Sequence, residues 1–167
     1  QVKGCGTNTA TLITAGQTTA YGNAPVGINE SYDGSSWTEV GDLNTVRRTG
    51  AEFGTSTAAV YVGGANADGD SLGVCETWDG SSWTEVADLN TATVHFAGAG
   101  ISTAGIVSGG TRLTETETWD GSSWTEVSDL NTGRYNIGMA GKGSTTASLV
   151  FAGETPSPTA QALTESW

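Results

Sequence analysis

The sequence predicts an all-β protein built from four repeated units, each with four short antiparallel strands. The phrase Asp-Gly-Ser-Ser-Trp-Thr-Glu-Val occurs three times, at 33–40, 79–86 and 120–127, and a fourth copy begins at Glu165. The period is 46, 41 and 48 residues, measured between the aromatic residues Tyr32, Trp78, Trp119 and Trp167. A period of this length indicates a repeat architecture, and no useful helical periodicity interrupts it.

The first two strands of each unit, called a and b, flank a polar turn. In the second unit, the segment 54–64 begins with Gly-Thr-Ser-Thr and continues as an apolar run that ends at Gly63-Gly64. The polar start is typical of a turn, and the apolar run is typical of a buried strand. Small residues such as Ala97-Gly98-Ala99 precede the turn, where backbones must approach closely. Counterparts of the segment lie at 6–16, 100–110 and 141–153.

The last two strands, c and d, are predicted from the repeated phrase itself. Asp-Gly between two runs rich in aromatic and β-branched residues is a strong hairpin signal. The aromatic residues on either side of the turn can therefore pack on each other, and we expect Trp83 to be largely buried against Trp78. The aromatic residues predicted to have this structural role are Tyr32, Trp37, Trp78, Trp83, Trp119, Trp124 and Trp167.

Four-stranded units of about 45 residues, with Gly-Gly closing the second strand, resemble kelch repeats of a β-propeller. The resemblance covers the whole chain and rests on the Gly-Gly doublets, the aromatic-Asp pairs, the later Trp of each phrase and the run 43–47. Two departures are the closer aromatic spacing and the Ala-Gly that replaces Gly-Gly in units one and four. This tighter variant is similar to kelch-like repeats in virion structural proteins of marine bacteriophages.

The predicted units form a single repeat domain with boundaries at 1–45, 46–91, 92–132 and 133–167. The first and last units are incomplete, so we expect a segment of a longer chain or a domain completed by another chain. Propellers close with about 4 to 8 blades. Four units therefore fit either a whole small ring or part of a larger one.

Composition narrows the possible partners. The net charge is −12, from 6 basic and 18 acidic residues, so the chain lacks the basic surface that binds phosphate backbones, and no nucleic-acid partner is expected. No apolar run approaches the roughly 18 to 20 residues that span a membrane, so no membrane insertion is expected. Cys5 and Cys75 are predicted to be buried free thiols rather than a disulfide.

The sequence offers few groups for catalysis or metal binding. The single histidine, His95, is predicted to pack or to line the pore. Asp68 and Asp70 lie in an oxygen-rich loop that is the weak candidate for a calcium site, but the loop lacks the later bidentate Glu of an EF-hand. The repeated aspartates are predicted turn residues spread over different units. We therefore expect no cofactor and no enzymatic activity.

One connection differs in length between units and predicts a binding surface. The b–c loops at 17–29, 65–75, 111–116 and 154–164 have 13, 11, 6 and 11 residues, whereas the other turns vary far less. Such insertions map to loops on one face of a repeat protein, often the binding face. This edge would also carry the d-to-a crossings. The candidate binding residues there are Arg112, Tyr21, Arg47, Arg48 and Arg134. Alternatively, Arg47 and Arg134 brace one blade against the next.

The resemblance to repeats of phage virion proteins implies a non-enzymatic structural or adhesive component of a phage virion appendage, such as a tail fibre, or of an exposed capsid surface. The expected partners are other virion or filament subunits and a host-surface glycan, and the expected location is the virion surface or the extracellular space. The alternatives are a cellular lectin-like propeller that binds glycans and, third, a glycosidase-type enzyme.

Overall fold

The computed structural model describes residues 2–18, 24–111, 113–141, 147–155 and 160–166. Within these ranges the secondary structure consists of strands in four antiparallel sheets, each of which follows the chain as a simple meander. No helix that could cross a membrane occurs in them. The predicted all-β class and the a-b-c-d order of strands are therefore confirmed, and the sheets form the blades of a four-bladed β-propeller arrangement.

The strand bounds follow the repeated units closely. Blade 1 contains β1 (Lys3–Thr7), β2 (Ala10–Gln17), β3 (Pro25–Tyr32) and β4 (Trp37–Val40). Blade 2 contains β5 (Ala51–Thr55), β6 (Ala58–Val62), β7 (Cys75–Trp78) and β8 (Trp83–Val86). Blade 3 contains β9 (Ala97–Ile101), β10 (Ala104–Ser108), β11 (Thr116–Trp119) and β12 (Trp124–Glu126). Blade 4 contains β13 (Gly138–Ala140), β14 (Leu149–Phe151) and β15 (Thr164–Ser166).

Neighbouring blades meet along their a strands, because β1 contacts β5, β5 contacts β9, and β9 contacts β13. Small residues make this approach possible. A Cβ atom at Gly98 of strand a in blade 3 would lie 3.0 Å from the ring of Phe53 in the preceding blade, and one at Gly105 of the adjacent strand b would lie 2.3 Å from it. The predicted need for small residues near the a strands thus has its cause in the packing of an aromatic ring between two blades.

The c–d hairpins owe their turns to the repeated aspartate. In blade 2, the Asp79 carboxylate accepts hydrogen bonds from the backbone amides of Ser81 and Ser82, both at 2.8 Å, and from the Ser81 hydroxyl at 2.7 Å. These bonds lower the pKa of Asp79 to about 2. Gly80 follows with φ of +96°, a conformation that favours glycine. Asp33 and Asp120 make the same bonds in their own turns.

The hydrophobic core lies between blades, and the tryptophan pairs are its largest members. Trp78 and Trp83 pack with ring centroids 5.4 Å apart, against Leu12 and Leu43 of the preceding blade. Trp83 is 5% exposed, which confirms the predicted burial. Blade 3 repeats the arrangement with Trp119 and Trp124 at 5.2 Å.

Two details of the core concern blade 1 and the cysteines. Trp37 packs on Tyr32 at 5.1 Å, as its counterparts do, but Trp37 is 48% exposed. Its face of blade 1 points away from blade 2 and is not covered within the described ranges. Cys5 and Cys75 are both free, as predicted; Cys75 is buried and Cys5 is partly buried.

Candidate functional site

The b–c loops and the d-to-a crossings share one edge of the sheets, as predicted. The backbone amide of the crossing leucine donates to a carbonyl near the start of strand c in three successive blades. These bonds join Leu43 to Gly27 at 3.0 Å, Leu89 to Gly73 at 2.9 Å, and Leu130 to Thr114 at 3.0 Å. We call this the b–c edge. The segments 41–50, 87–96 and 127–137, which lead from one blade into the next, are called the crossing segments.

A glutamate on strand c holds each crossing segment in place. Glu76 of β7 accepts hydrogen bonds from the backbone and side-chain nitrogens of Asn44, both at 2.8 Å, and from the Thr45 amide at 3.1 Å. The Asn44 side chain also donates to the carbonyl of Trp83 at 2.8 Å. Because Asn44 and Thr45 follow strand d of blade 1, this carboxylate joins blades 1 and 2.

The same network recurs in the next two blades. Glu117 accepts bonds from Asn90 at 3.0 and 2.8 Å and from the Thr91 amide at 2.9 Å. Glu165 accepts two bonds from Asn131, both at 2.8 Å. Although burial opposes it, these bonds and the Arg134 charge lower the pKa of Glu165. The Asn-Thr phrase of the repeat therefore serves as a docking element for a buried carboxylate.

Arg47 completes the network in blade 2, and each nitrogen of its guanidinium group donates a hydrogen bond within the protein. Its Nη1 lies 2.5 Å from Glu76, with both side chains 0% exposed. Its Nε donates to the carbonyl of Gly63 and its Nη2 to the carbonyl of Tyr61, both at 3.0 Å. Its guanidinium lies over the Tyr61 ring, 4.9 Å from the centroid. Arg47 therefore braces the blades from a position that a surface ligand does not reach.

Arg134 has the same bracing role in blade 4. Its side chain is 0% exposed and pairs with Glu165 at 2.5 Å. Both Arg47 and Arg134 were candidate ligand-binding residues; the burial of their side chains favours the alternative interpretation. Arg48 is 9% exposed, and its Nη1 donates to the carbonyl of Asn66 at 2.5 Å. It ties the crossing segment to the adjacent b–c loop. Tyr21, Arg112 and Trp167 lie outside the described residues.

The loop that carries Asp68 and Asp70 is closed by its own hydrogen bonds. The Asn66 side chain donates to Asp70 at 3.0 Å and accepts from the Asp70 amide at 2.9 Å. Within the described ranges, no group of three or more His, Cys, Asp or Glu side chains could hold a metal ion.

A row of strained residues, not predicted from the sequence, lies just before the a strands. Thr49, His95 and Asn136 adopt φ values of +62°, +60° and +53°. The His95 amide donates to the Thr49 carbonyl at 3.0 Å, and the Asn136 amide donates to the His95 carbonyl at 2.8 Å. These bonds link three successive blades. Burial, followed by the positive charge of Lys3, lowers the pKa of His95. The only signal for these residues in the sequence was a polar side chain at the same position of three repeats.

A buried carboxyl group on strand a was also missed. Glu52 of β5 accepts hydrogen bonds from the Thr14 hydroxyl at 2.9 Å and the Cys5 thiol at 3.6 Å, both in blade 1. Its second oxygen is buried and has no hydrogen-bond partner among the described residues. Burial raises the pKa of Glu52 to about 8. Its neighbours in sequence are small or apolar, so the repeat pattern does not predict a polar contact here.

The comparisons with known proteins concern the fold. No protein-family model and no curated protein sequence matches the chain. The solved structure of the protein YjhT resembles it with a TM-score of 0.77 and 13% sequence identity, over 93% of this chain and 62% of YjhT. The chain thus spans less than two thirds of that protein. A likeness at this identity shows a shared fold alone, and the fold of this chain is a β-propeller arrangement.

Proposed function

We propose that this protein is a non-enzymatic structural or adhesive component of a bacteriophage virion appendage, such as a tail fibre, or of an exposed capsid surface. Its repeats are kelch-like, and its b–c edge contacts a glycan on the host surface. The protein works at the virion surface or outside the cell, beside other virion or filament subunits.

The virion part of this proposal rests on the resemblance of the repeats, and the observation that carries its binding part is the contrast between the fixed and variable parts of the repeat. The c–d turns make identical bonds in three blades, and the Asn-Thr phrase of the crossings meets a strand c glutamate three times. The b–c connections on the same edge instead differ in length: 7 residues separate β2 from β3 (18–24) and β10 from β11 (109–115), whereas 12 separate β6 from β7 (63–74) and β14 from β15 (152–163). The predicted 13-residue loop of blade 1 is shorter because Pro25–Tyr32 form β3. Variation confined to one edge of a uniform scaffold is typical of a binding surface.

The positions of the repeated carboxylates also support a scaffold rather than a catalyst. Asp79 and its counterparts are engaged in their own turns, while Glu76 and its counterparts are engaged by the crossing segments. Each group is already bonded within or between blades. A general acid and base must instead lie together beside a substrate.

Arg112 and Tyr21 are the residues of the b–c loops that we expect to contact the glycan. A planar guanidinium with fixed donors suits carboxylates and sugar hydroxyls, and an aromatic ring offers an apolar face to a sugar. On the same edge, Tyr135 donates from its hydroxyl to Glu154 at 3.1 Å, which shows how an aromatic side chain is positioned there.

The test is a glycan array with the wild-type chain and an Arg112→Ala/Tyr21→Ala double variant. The double variant should lose at least about tenfold in glycan affinity, while its free energy of unfolding should change by about 0.5 kcal/mol or less, as for exposed substitutions. A Glu85→Gln variant, altered on an exposed d strand, is the matched control and should bind as the wild type does. Equal binding by the double variant and the wild type would remove the b–c edge as the glycan site.

The virion location requires a separate measurement. Quantitative mass spectrometry of purified particles should find the protein at a fixed number of copies per particle. Its absence from particles would reject the virion assignment without affecting the glycan result.

A further inference from the structure

The three interfaces between blades differ at one position of the crossing segment. The phrase Leu-Asn-Thr-x-Arg ends in Arg47 between blades 1 and 2 and in Arg134 between blades 3 and 4, but Thr93 stands at this position between blades 2 and 3. Thr93 is 7% exposed, and its hydroxyl oxygen is buried without a hydrogen-bond partner among the described residues. Buried polar groups normally have a partner, so this hydroxyl calls for one.

The carboxylate at the same interface has no arginine to balance its charge. Glu117 is 3% exposed and accepts its hydrogen bonds from the crossing segment. In the described part of the chain, its counterparts Glu76 and Glu165 each form an ion pair with an arginine, whereas Glu117 forms none. Burying an unpaired charge is costly, so a cation at this interface would be stabilising.

The oxygen atoms that accept hydrogen bonds from Arg47 have counterparts in blade 3. Arg47 donates to three carbonyls and one carboxylate, those of Thr45, Tyr61, Gly63 and Glu76. By repeat position and strand register, the equivalent residues are Thr91, Val107, Gly109 and Glu117. All four line one cavity of about 10 Å³ together with Thr93, and we call it the Thr93 cavity. A cavity of this volume has room for about one sphere the size of a water molecule.

We propose that the Thr93 cavity binds one monovalent cation of the size of K⁺. The Glu117 carboxylate, the Thr93 hydroxyl and backbone carbonyls such as that of Gly109 are its ligands. Oxygen atoms of these kinds are the ligands that hard cations prefer, and they replace the water molecules that the ion loses. The cation joins the crossing segment to strand c of blade 3, as the Arg47 guanidinium does in blade 2.

The surroundings of the cavity favour a small cation over two other occupants. Leu89, Phe96 and Leu113 form part of the lining, and apolar walls strengthen the attraction between a cation and a carboxylate. A water molecule would leave the charge of Glu117 unbalanced, and an organic cation is larger than the cavity. Glu115 also lines the cavity, but its carboxylate accepts a hydrogen bond from the Thr114 amide at 2.9 Å. One positive charge therefore suffices.

This site goes beyond the proposed glycan contact, and either can exist without the other. It holds two blades together, whereas the glycan contact involves the loops of the b–c edge. Its test therefore measures the stability of the fold and requires no glycan.

The experiment compares urea unfolding of the full chain in KCl and in tetramethylammonium chloride at equal ionic strength. Tetramethylammonium is too large for the cavity and is the reference cation. Replacing it with about 100 mM K⁺ should lower the unfolding equilibrium constant about tenfold, as for a site with a dissociation constant of about 10 mM. Crystals soaked with thallium(I), which is close to K⁺ in size, should give an anomalous peak between Glu117 and Thr93.

Variants at Thr93 separate this site from a general effect of salt. Thr93→Arg supplies the guanidinium of the other two interfaces and should abolish the response to K⁺. Thr93→Val keeps the shape of the side chain but removes the hydroxyl ligand, so the response should fall several-fold. The matched control is Glu126→Gln, which removes an exposed carboxylate from strand d of the same blade and should keep the full response.

Four results would overturn the proposal. They are the same unfolding constant in K⁺ and tetramethylammonium, a full K⁺ response in both Thr93 variants, a thallium-soaked crystal with only a water molecule at Glu117, or a stronger response to Ca²⁺ than to K⁺.

Discussion

Glu76→Gln and Glu117→Gln make the same chemical change at equivalent positions, yet they should have different costs. Glu76 faces a buried arginine, because Arg47 is 0% exposed and 2.5 Å away. Removing one partner of a buried ion pair leaves an uncompensated charge, which costs about 3 to 5 kcal/mol. Glu117 has Thr93 where Glu76 has Arg47. Its loss weakens three charge-assisted hydrogen bonds, at about 1.5 to 3 kcal/mol.

The measurement is urea unfolding followed by tryptophan fluorescence. The free energies of unfolding of the two variants are compared with the same m value, the slope of the free energy against urea concentration. We expect Glu76→Gln to be the more destabilising by about 1.5 to 2 kcal/mol, the difference between the lower and between the upper limits of the two ranges above. The double variant Arg47→Met/Glu76→Gln should recover much of the loss, since a buried pair can often be replaced by apolar side chains. Equal costs for the two single variants, or a double variant no more stable than Glu76→Gln, would refute the role assigned to Arg47.

Two further predictions concern packing and pH. Trp83→Ala should destabilise the chain by about 3 to 5 kcal/mol. Trp37→Ala should destabilise it by only about 0.5 to 1.5 kcal/mol, the value of an aromatic pair. Similar losses in the free energy of unfolding for the two variants, measured in urea, would contradict the exposure of Trp37. The folded-state pKa of Glu52 is raised from 4.5 to about 8, so its contribution to stability is fully present below pH 4.5 and is lost as the pH rises towards 8. The free energy of unfolding should fall with pH across that window by at most ~1.4 kcal/mol per unit, and Glu52→Gln should remove this slope; an unchanged slope would disprove the assignment.

The strands could be predicted because the same strand and turn pattern recurs in successive repeats. Asp79-Gly80 marks a hairpin in any one unit, and three copies at a regular period exclude a chance match. The order of the strands then follows from the chain, because a meander joins neighbours only. The burial of Trp83 followed from its place in the hairpin, but the exposure of Trp37 did not. A local phrase specifies the hairpin, whereas burial depends on the blade that lies against it.

The role of the arginines was harder to predict because it depends on a distant partner. Arg47 and Glu76 are 29 residues apart in sequence and meet only when a crossing segment folds onto the next blade. From the sequence alone, both roles were open to these arginines, ligand binding on the b–c edge and bracing of one blade against the next. The repeat did contain a discriminating signal, since Asn-Thr-x-Arg recurs at Arg134 while Arg112 stands outside that phrase.

The residues at positive φ could not have been predicted from residue type, and the reason lies between the blades. Thr49 is β-branched, so a φ of +62° is costly, on the order of 1 to 3 kcal/mol. Propensity would place glycine or asparagine there, as blade 4 does with Asn136. The conformation is compatible with backbone bonds that run from Asn136 to His95 and from His95 to Thr49 across three blades. Local strain at each crossing is therefore offset by hydrogen bonds that exist only after neighbouring blades have docked, which makes these residues part of the interface rather than of any single repeat.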